Sequence, residues 1–171
     1  MLQRRQLGSL LLAAAASCTL PTAASAAPSR HALFRIARSK NKNVVLYTAR
    51  CRGNDLDSAG PIEAHWLMLA EDGRREELSW AERELAYGFS VSELAGEGCK
   101  LRLAACKART IQVQRRPEGF RALITIAGRR ALLERIFVQA SEGALLPSVE
   151  FVELVGARLD GSRISERLVA R

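Results

Sequence analysis

Histidine is nearly absent from this sequence, since His31 and His65 are the only two. There is no pair of histidines at metal-binding spacing and no Cys-x-x-Cys, so neither zinc ligation nor thiol redox catalysis has a motif to rest on. Gly-x-Ser-x-Gly elbows and Walker-type phosphate loops are missing as well. No uninterrupted apolar run after the N-terminal segment approaches the roughly 20 residues that a membrane-spanning helix needs. Together these gaps exclude the familiar serine-hydrolase, nucleotide-binding and metalloenzyme signatures. The expectation is a protein with no catalytic residue, no metal and no cofactor.

The N-terminus does carry a signal. Arg4 and Arg5 precede an apolar stretch from Leu10 to Ala16, followed by small residues that end in Ala24-Ser25-Ala26. This is the charged, apolar and small-residue order of a secretory signal peptide over residues 1–26, with the mature chain beginning near Ala27. Adjacent arginines in Gln3-Arg4-Arg5-Gln6-Leu7-Gly8 resemble a twin-arginine export signal. Ala15-Ala16-Ser17-Cys18 lacks the leucine that opens a lipoprotein box, so lipid anchoring at Cys18 is not expected. The product is expected to be exported, to the periplasm, with no transmembrane segment in its mature chain.

Removing Arg4 and Arg5 takes the formal charge from +8 to +6. The cations are interleaved with glutamate, as in Arg74-Arg75-Glu76-Glu77, whereas nucleic-acid binding calls for a concentrated stripe. No nucleic-acid partner is expected. An anionic envelope component, lipid or lipopolysaccharide phosphate, is the partner such a charge suits.

Cys18 leaves with the signal, so Cys51, Cys99 and Cys106 remain, enough for at most one internal disulfide. If Cys99 to Cys106 formed one extended strand, its ends would be roughly 23 Å apart at about 3.3 Å per residue, too far to bridge. Pairing of Cys51 with either one stays open.

Apolar and polar residues alternate at period two through most of the mature chain. Leu33–Arg38, Val44–Cys51, Ile62–Ala70, Cys99–Cys106, Arg109–Arg115, Phe120–Ala127, Leu132–Ala140, Val149–Leu159 and Arg163–Val169 read as strands, separated by turn-forming pairs. Asp72-Gly73 and Asp160-Gly161 suit two-residue hairpins. The fold class is therefore mainly β, an antiparallel sandwich or barrel of about eight or nine strands. Residues 27–32 read as a loose leader and residues 33–171 as a single β domain.

One short α-helix is expected over about residues 80–87. Ser79-Trp80-Ala81-Glu82 has the form of a capping box, and Gly88 stands where a left-handed C-cap would be. Ala81 and Leu85, four apart, would face the sheet.

The densest polar cluster is "RSKNKN", Arg38 to Asn43. In an unbroken strand Arg38, Lys40 and Lys42 would share the core face with Phe34 and Ile36, at a cost of many kcal/mol. The strand must break, and Ser39 to Asn43 become a turn. Such a turn also offers donors, from Arg38, Lys40, Asn41, Lys42 and Asn43, that suit phosphate, sulfate or carboxylate. Trp66 and Tyr87 could supply aromatic walls beside it. His65 shares a strand face with Glu63, a pairing that could serve general-base chemistry.

The segments "FRIARSKNKNVVLYTA", "GPIEAHWLML", "ELSWAERELAYGF" and "LPSVEFVELVGARLDGSRISER" together resemble a bacterial family of exported single-domain proteins known as a domain of unknown function. The resemblance covers about Leu33 to Arg167, most specifically at Arg38-Ser39-x-Asn41-x-Asn43 and Leu85-Ala86-Tyr87-Gly88. It implies no catalytic or binding residue, and the cysteines stand outside its pattern. The favoured expectation is a non-catalytic ligand- or partner-binding β domain recognising an anionic group. The competing ones are a hydrolase-like enzyme using His65 and Glu63, and a structural or assembly factor.

Overall fold

A computed structural model describes residues 28–39, 41–141 and 148–169. The expected signal peptide and Lys40 lie outside those residues.

Alternation becomes strand almost everywhere it was expected. The strands are β1 (Ser29–Arg38), β2 (Asn41–Arg52), β3 (Asp55–Leu56), β4 (Ile62–Met68), β5 (Arg74–Glu77), β6 (Phe89–Ala95), β7 (Gly98–Leu103), β8 (Thr110–Arg116), β9 (Gly119–Ile126), β10 (Arg129–Ser141), β11 (Ser148–Arg158) and β12 (Arg163–Val169). All belong to one sheet whose main path runs β5-β4-β2-β1-β10-β9-β8-β7-β6, with the β11–β12 hairpin paired to β10 and β3 to β2. The sheet curls into a half-barrel.

Three strands were missed from the sequence, β3, β5 and β6. β5 is Arg-Arg-Glu-Glu and buries no residue, and β6 buries none either. β5 therefore carries no apolar alternation to detect, and in β6 it is confined to Phe89 and Val91, which pack half-buried against the core. The leader is also shorter than expected, because β1 begins at Ser29 and pairs there with Cys51 of β2.

One pairing departs from the antiparallel pattern. Arg35 to Arg38 of β1 run parallel to Arg135 to Val138 of β10. The other strand pairs are antiparallel. The β1–β2 hairpin leaves the outer edge of β1 unpaired, and the chain returns about a hundred residues later to satisfy it, closing the sheet around the core.

The expected turn chemistry holds in conformation and differs in loop length. Asp72 and Gly73 both have positive φ, at 58° and 73°, but the loop around them spans five residues from Leu69 to Gly73, since Met68 pairs with Arg74. At Asp160-Gly161 only the glycine is left-handed, and Leu159 to Gly161 form a three-residue loop in which Asp160 Oδ1 accepts from the Ser162 amide at 2.9 Å. Two-residue connections occur elsewhere, at Gly53-Asn54, Gly96-Glu97, Pro117-Glu118 and Ala127-Gly128, and in the last both residues have positive φ, 47° and 74°.

The helix occupies the expected residues in an unexpected form. It starts as α1 (Trp80–Glu82) and widens into a π-helical turn (Arg83–Tyr87). The capping box is present, with Ser79 Oγ accepting from the Glu82 amide at 3.3 Å and Glu82 Oε2 accepting from the Ser79 amide at 2.8 Å. Gly88, however, is extended, φ −66° and ψ 160°, so it is no left-handed cap. Its glycine is required for another reason: a Cβ there would collide with the Arg83 carbonyl oxygen. Ala81 is exposed and Leu85 is 80% exposed, so that pair does not face the sheet. In a π-turn residues five apart share a face, which turns Glu82 and Tyr87 inward together.

The helix has a structural task set by topology. β5 and β6 are the two ends of the sheet path, and the helix is the segment of chain that links them. It straps the open side of the half-barrel.

The β11–β12 hairpin is tied down by charge. Arg109 donates to both carboxylate oxygens of Glu166 at 2.8 and 2.7 Å, and Glu166 Oε2 also accepts from the Ala127 amide at 2.7 Å. These bonds hold the Glu166 carboxyl at about 2, below its ordinary 4.5. A lowered folded-state pKa stabilises the fold above the unfolded value and withdraws that contribution as pH falls toward the folded value.

Two outcomes test this account. Gly88→Ala should lower the urea midpoint by an amount corresponding to about 1–3 kcal/mol, the usual cost of forcing atoms into a filled space. Gly73→Ala, with open space around it, should cost about 1 kcal/mol through its positive φ alone. For Glu166, stability measured by denaturation should fall between pH 4.5 and about 2, and Glu166→Gln should flatten the profile in that window while lowering stability at neutral pH.

Candidate functional site

The RSKNKN cluster turns out to be a hairpin end with divided labour. Arg38 pairs with Asn41, and an irregularity after Ala37 leaves Lys42 and Asn43 as a bulge in β2. The bulge shifts side-chain parity, so that Val45 and Tyr47, rather than Val44 and Leu46, face Ile36 and Phe34. Both asparagines serve the backbone. Asn41 Oδ1 accepts from the Asn43 amide at 2.9 Å, and Asn43 Oδ1 from the Ala70 amide at 3.1 Å. Ser39 clips the hairpin to β10, its amide donating to the Val138 carbonyl at 2.9 Å and its hydroxyl exchanging hydrogen bonds with Ala140. Lys42 is exposed.

Arg38 behaves differently. It keeps the inward parity of Phe34 and Ile36 but sits at the end of the strand, where it is half-buried. Its guanidinium donates to the Tyr87 hydroxyl at 3.4 Å. Among the described residues no carboxylate lies within ion-pair distance of it. The cost of a buried cation is thus avoided by placing it at the rim, a solution that strand parity alone did not reveal.

Tyr87 is fixed by two aromatic partners from the sheet. Tyr47, fully buried in β2, stacks on Phe34 with ring centroids 4.5 Å apart and meets Phe89 edge-on at 5.9 Å. Its hydroxyl donates to the Tyr87 carbonyl at 2.7 Å. Trp66 meets the Tyr87 ring edge-on at 5.3 Å, and its Nε1 donates to Glu82 Oε1 at 3.0 Å. Trp66 therefore stands behind Tyr87 and orients it. Burial pushes both tyrosine hydroxyls up in pKa, with the Arg38 charge opposing the rise at Tyr87. Burial also works against the Glu82 carboxylate, but hydrogen bonds from Ser79 and Trp66 and the Arg38 charge hold its pKa below the ordinary value.

Arg38 and Tyr87 line one end of a groove of about 340 Å³. Its walls are Ile36, Ile136, Val138, Val152, Leu154 and Leu168, with Leu85 and Cys106 at the margin, and Arg38 is the only charged side chain among them. Sequence reasoning gathered Arg38 and Tyr87 but read these aliphatic residues as ordinary strand filling. The one signal available was the number of aliphatic residues on β10 and β11, Ile136, Val138, Val152 and Leu154 among them, more than a single sheet layer needs.

A larger cleft, about 750 Å³, lies between β4–β5 and β6–β7. Much of its charge is already satisfied within the protein: Arg83 binds Glu77 at 2.9 Å and Arg50 binds Asp57 at 3.2 Å.

His65 and Glu63 do not form a pair. Glu63 is held by Arg30 at 2.9 Å and Arg75 at 2.7 Å. His65 is 5% exposed, on the strand face opposite Ala64 and Trp66, and its Nδ1 has no hydrogen-bond partner. Burial, reinforced by Arg75, lowers its pKa and keeps the ring neutral. Cys51, Cys99 and Cys106 are free thiols, and burial raises Cys99 to about 11.

The Tyr47–Tyr87 bond can be isolated by Tyr47→Phe, which keeps the stacked ring and strands a buried carbonyl. The expected loss is about 1–3 kcal/mol in urea unfolding, with a changed near-ultraviolet circular dichroism signal from Trp66 and Tyr87.

No curated protein and no solved structure matches this chain. Its residues 34–167, well over half its length, match the family model described as Domain of unknown function (DUF4833). The aromatic strap, the Arg38 hairpin and all of the aliphatic groove except Leu168 and Val169 lie inside that match, and the chain belongs to the DUF4833 family.

Proposed function

We propose that this protein is a binding protein for a single-chain anionic amphiphile, a fatty-acid-like molecule whose acyl chain enters the aliphatic groove and whose carboxylate meets Arg38. The observation that carries this reading is the composition of the groove: one cation, held by a tyrosine hydroxyl, at one end of an otherwise aliphatic trough. Small-molecule sites are mostly apolar with a few placed polar groups that fix orientation, in volumes of about 300–1,000 Å³. At about 340 Å³ the groove suits one slender chain.

The chemistry follows from the parts. Apolar burial along Ile36, Val138 and Val152 supplies affinity without direction. Arg38 supplies direction, since its planar guanidinium matches a carboxylate with two parallel donors. Tyr87 holds the guanidinium in place, and Trp66 and Glu82 hold Tyr87. The reading needs no catalytic group. A His65–Glu63 hydrolase is disfavoured, because the imidazole is covered and its carboxylate is engaged elsewhere.

The test is displacement of a dansyl-labelled fatty acid by decanoate and by decanol. Decanoate should compete, and Arg38→Gln should weaken it about 10- to 100-fold, the worth of a charge-assisted hydrogen bond of roughly 1.5–3 kcal/mol, while leaving decanol unchanged. Val152→Trp, which fills the trough, should weaken both. No uptake of the probe, or equal binding of decanoate by Arg38→Gln, would overturn the reading.

A further inference from the structure

The convex side of the sheet carries a feature that the groove does not use. Along β7, β8, β9 and the start of β10, Cys99, Leu101, Leu103, Ile111, Val113, Phe120, Ala122, Ile124, Ile126, Ala131 and Leu133 point to the core. The alternate positions point outward, and they are Lys100 and Arg102 on β7, Thr110, Gln112, Gln114 and Arg116 on β8, Arg121 and Thr125 on β9, and Arg130 and Leu132 on β10, with Leu123 of the same parity buried beneath its neighbours. None of these outward residues is acidic, and the exposed Glu134, next in the same parity on β10, marks where the acid-free array ends. The cations that look scattered among glutamates in the linear sequence are sorted by strand pairing onto one face.

Register fixes their arrangement. Arg102, Thr110, Thr125 and Arg130 form one row across the four strands, Lys100, Gln112, Leu123 and Leu132 the next, and Gln114 and Arg121 a third. Arg102 and Arg130 thus stand three strand spacings apart, about 14 Å. The Arg130 guanidinium reaches back across β9 to Gln112 at 2.7 Å and Gln114 at 3.0 Å. It is therefore held flat on the sheet by two neutral amides, which orient the cation without neutralising it. Lys100 is paired with Glu93 on the edge strand β6, at 2.6 Å, which bounds the array on that side. Glu97 and Glu118 lie in the turns at one end of the face.

We infer that this basic sheet face docks the protein on a bilayer containing anionic phospholipid. A broad, convex array of spaced cations complements a plane of phosphates, and juxtamembrane basic residues gain about 1 kcal/mol each from such a surface. Duplex DNA is the less fitting polyanion, because the face offers no protruding helix or ribbon for a groove. Single-stranded nucleic acid is disfavoured too, since none of the outward positions holds an aromatic ring for bases to stack on. The inference is independent of what the groove binds.

The experiment is co-sedimentation of the full chain with vesicles of phosphatidylcholine alone and of phosphatidylcholine with phosphatidylglycerol, at low salt and at half-molar salt. Two variants are compared with the parent, R102Q/R121Q/R130Q on the face and R35Q/R74Q/R163Q elsewhere, both removing three charges from the same chain so that the N-terminal segment contributes equally. Binding should require phosphatidylglycerol and be lost at high salt. The face variant should bind on the order of a hundred-fold more weakly, from about 1 kcal/mol per cation, and the control variant far less affected. Circular dichroism and the decanoate displacement assay should be the same for all three proteins, which separates a failed docking face from a failed groove. Equal losses in the two variants, no dependence on phosphatidylglycerol, or binding to duplex DNA in place of vesicles would overturn the inference.

Discussion

The rest of the molecule hangs on the hydrogen bond from the buried Tyr47 hydroxyl to the Tyr87 carbonyl. A sheet that curls only halfway leaves its apolar inside open along one seam. Here that seam is crossed by the eight-residue helix within the segment that connects the first and last strands of the path, and two turns of helix are too short to be stable unaided. Packing and hydrogen bonds must hold them. Tyr47 supplies both, since its ring is stacked into the core on Phe34 and only its oxygen reaches the strap. The π-turn is part of the same solution. It brings Glu82 and Tyr87 to one face, so that Trp66 can touch both.

The same constraint shapes the candidate site. Once Tyr87 is fixed, its hydroxyl becomes a stationary acceptor for Arg38, and a cation at the end of a core-facing strand acquires a defined position. The groove then inherits its asymmetry, with charge at one end and aliphatic walls elsewhere. The convex face has a different origin. Period-two alternation sends one set of residues inward for packing and leaves the other free to be chosen for charge, and on β7 to β9 and the start of β10, as far as Glu134, the outward set contains no acid.

Much of the fold was legible because alternation is a direct consequence of a sheet with one wet face. Strands such as Phe120–Ala127 and Arg163–Val169 were placed nearly residue for residue. β5 and β6 were not, because β5 buries nothing and the alternation of β6 lasts only from Phe89 to Val91. The capping box at Ser79 was readable, being a local exchange between two residues three apart. The role of Gly88 was not, because the collision it avoids depends on the widened turn before it. Of the site, Arg38 and Tyr87 were visible as unusual polar and aromatic residues, whereas the hydrogen-bonding duties of Asn41 and Asn43 depended on a bulge that no sequence pattern announces. The trough between them and β11–β12 is a product of three-dimensional curvature, and aliphatic residues in a strand look alike whether they fill a core or line a cavity.

The parallel register between β1 and β10 has a consequence for assembly. Every other neighbour in the main path is reached by a comparatively short excursion of chain, but this one joins segments about a hundred residues apart, and such distant contacts are slow to form. Until β10 arrives, β1 presents an unsatisfied row of amides and carbonyls, a template for adhesion between copies. The amino-terminal hairpin is thus vulnerable throughout most of the chain's synthesis, and a fragment ending before Arg129 would keep that sticky margin permanently.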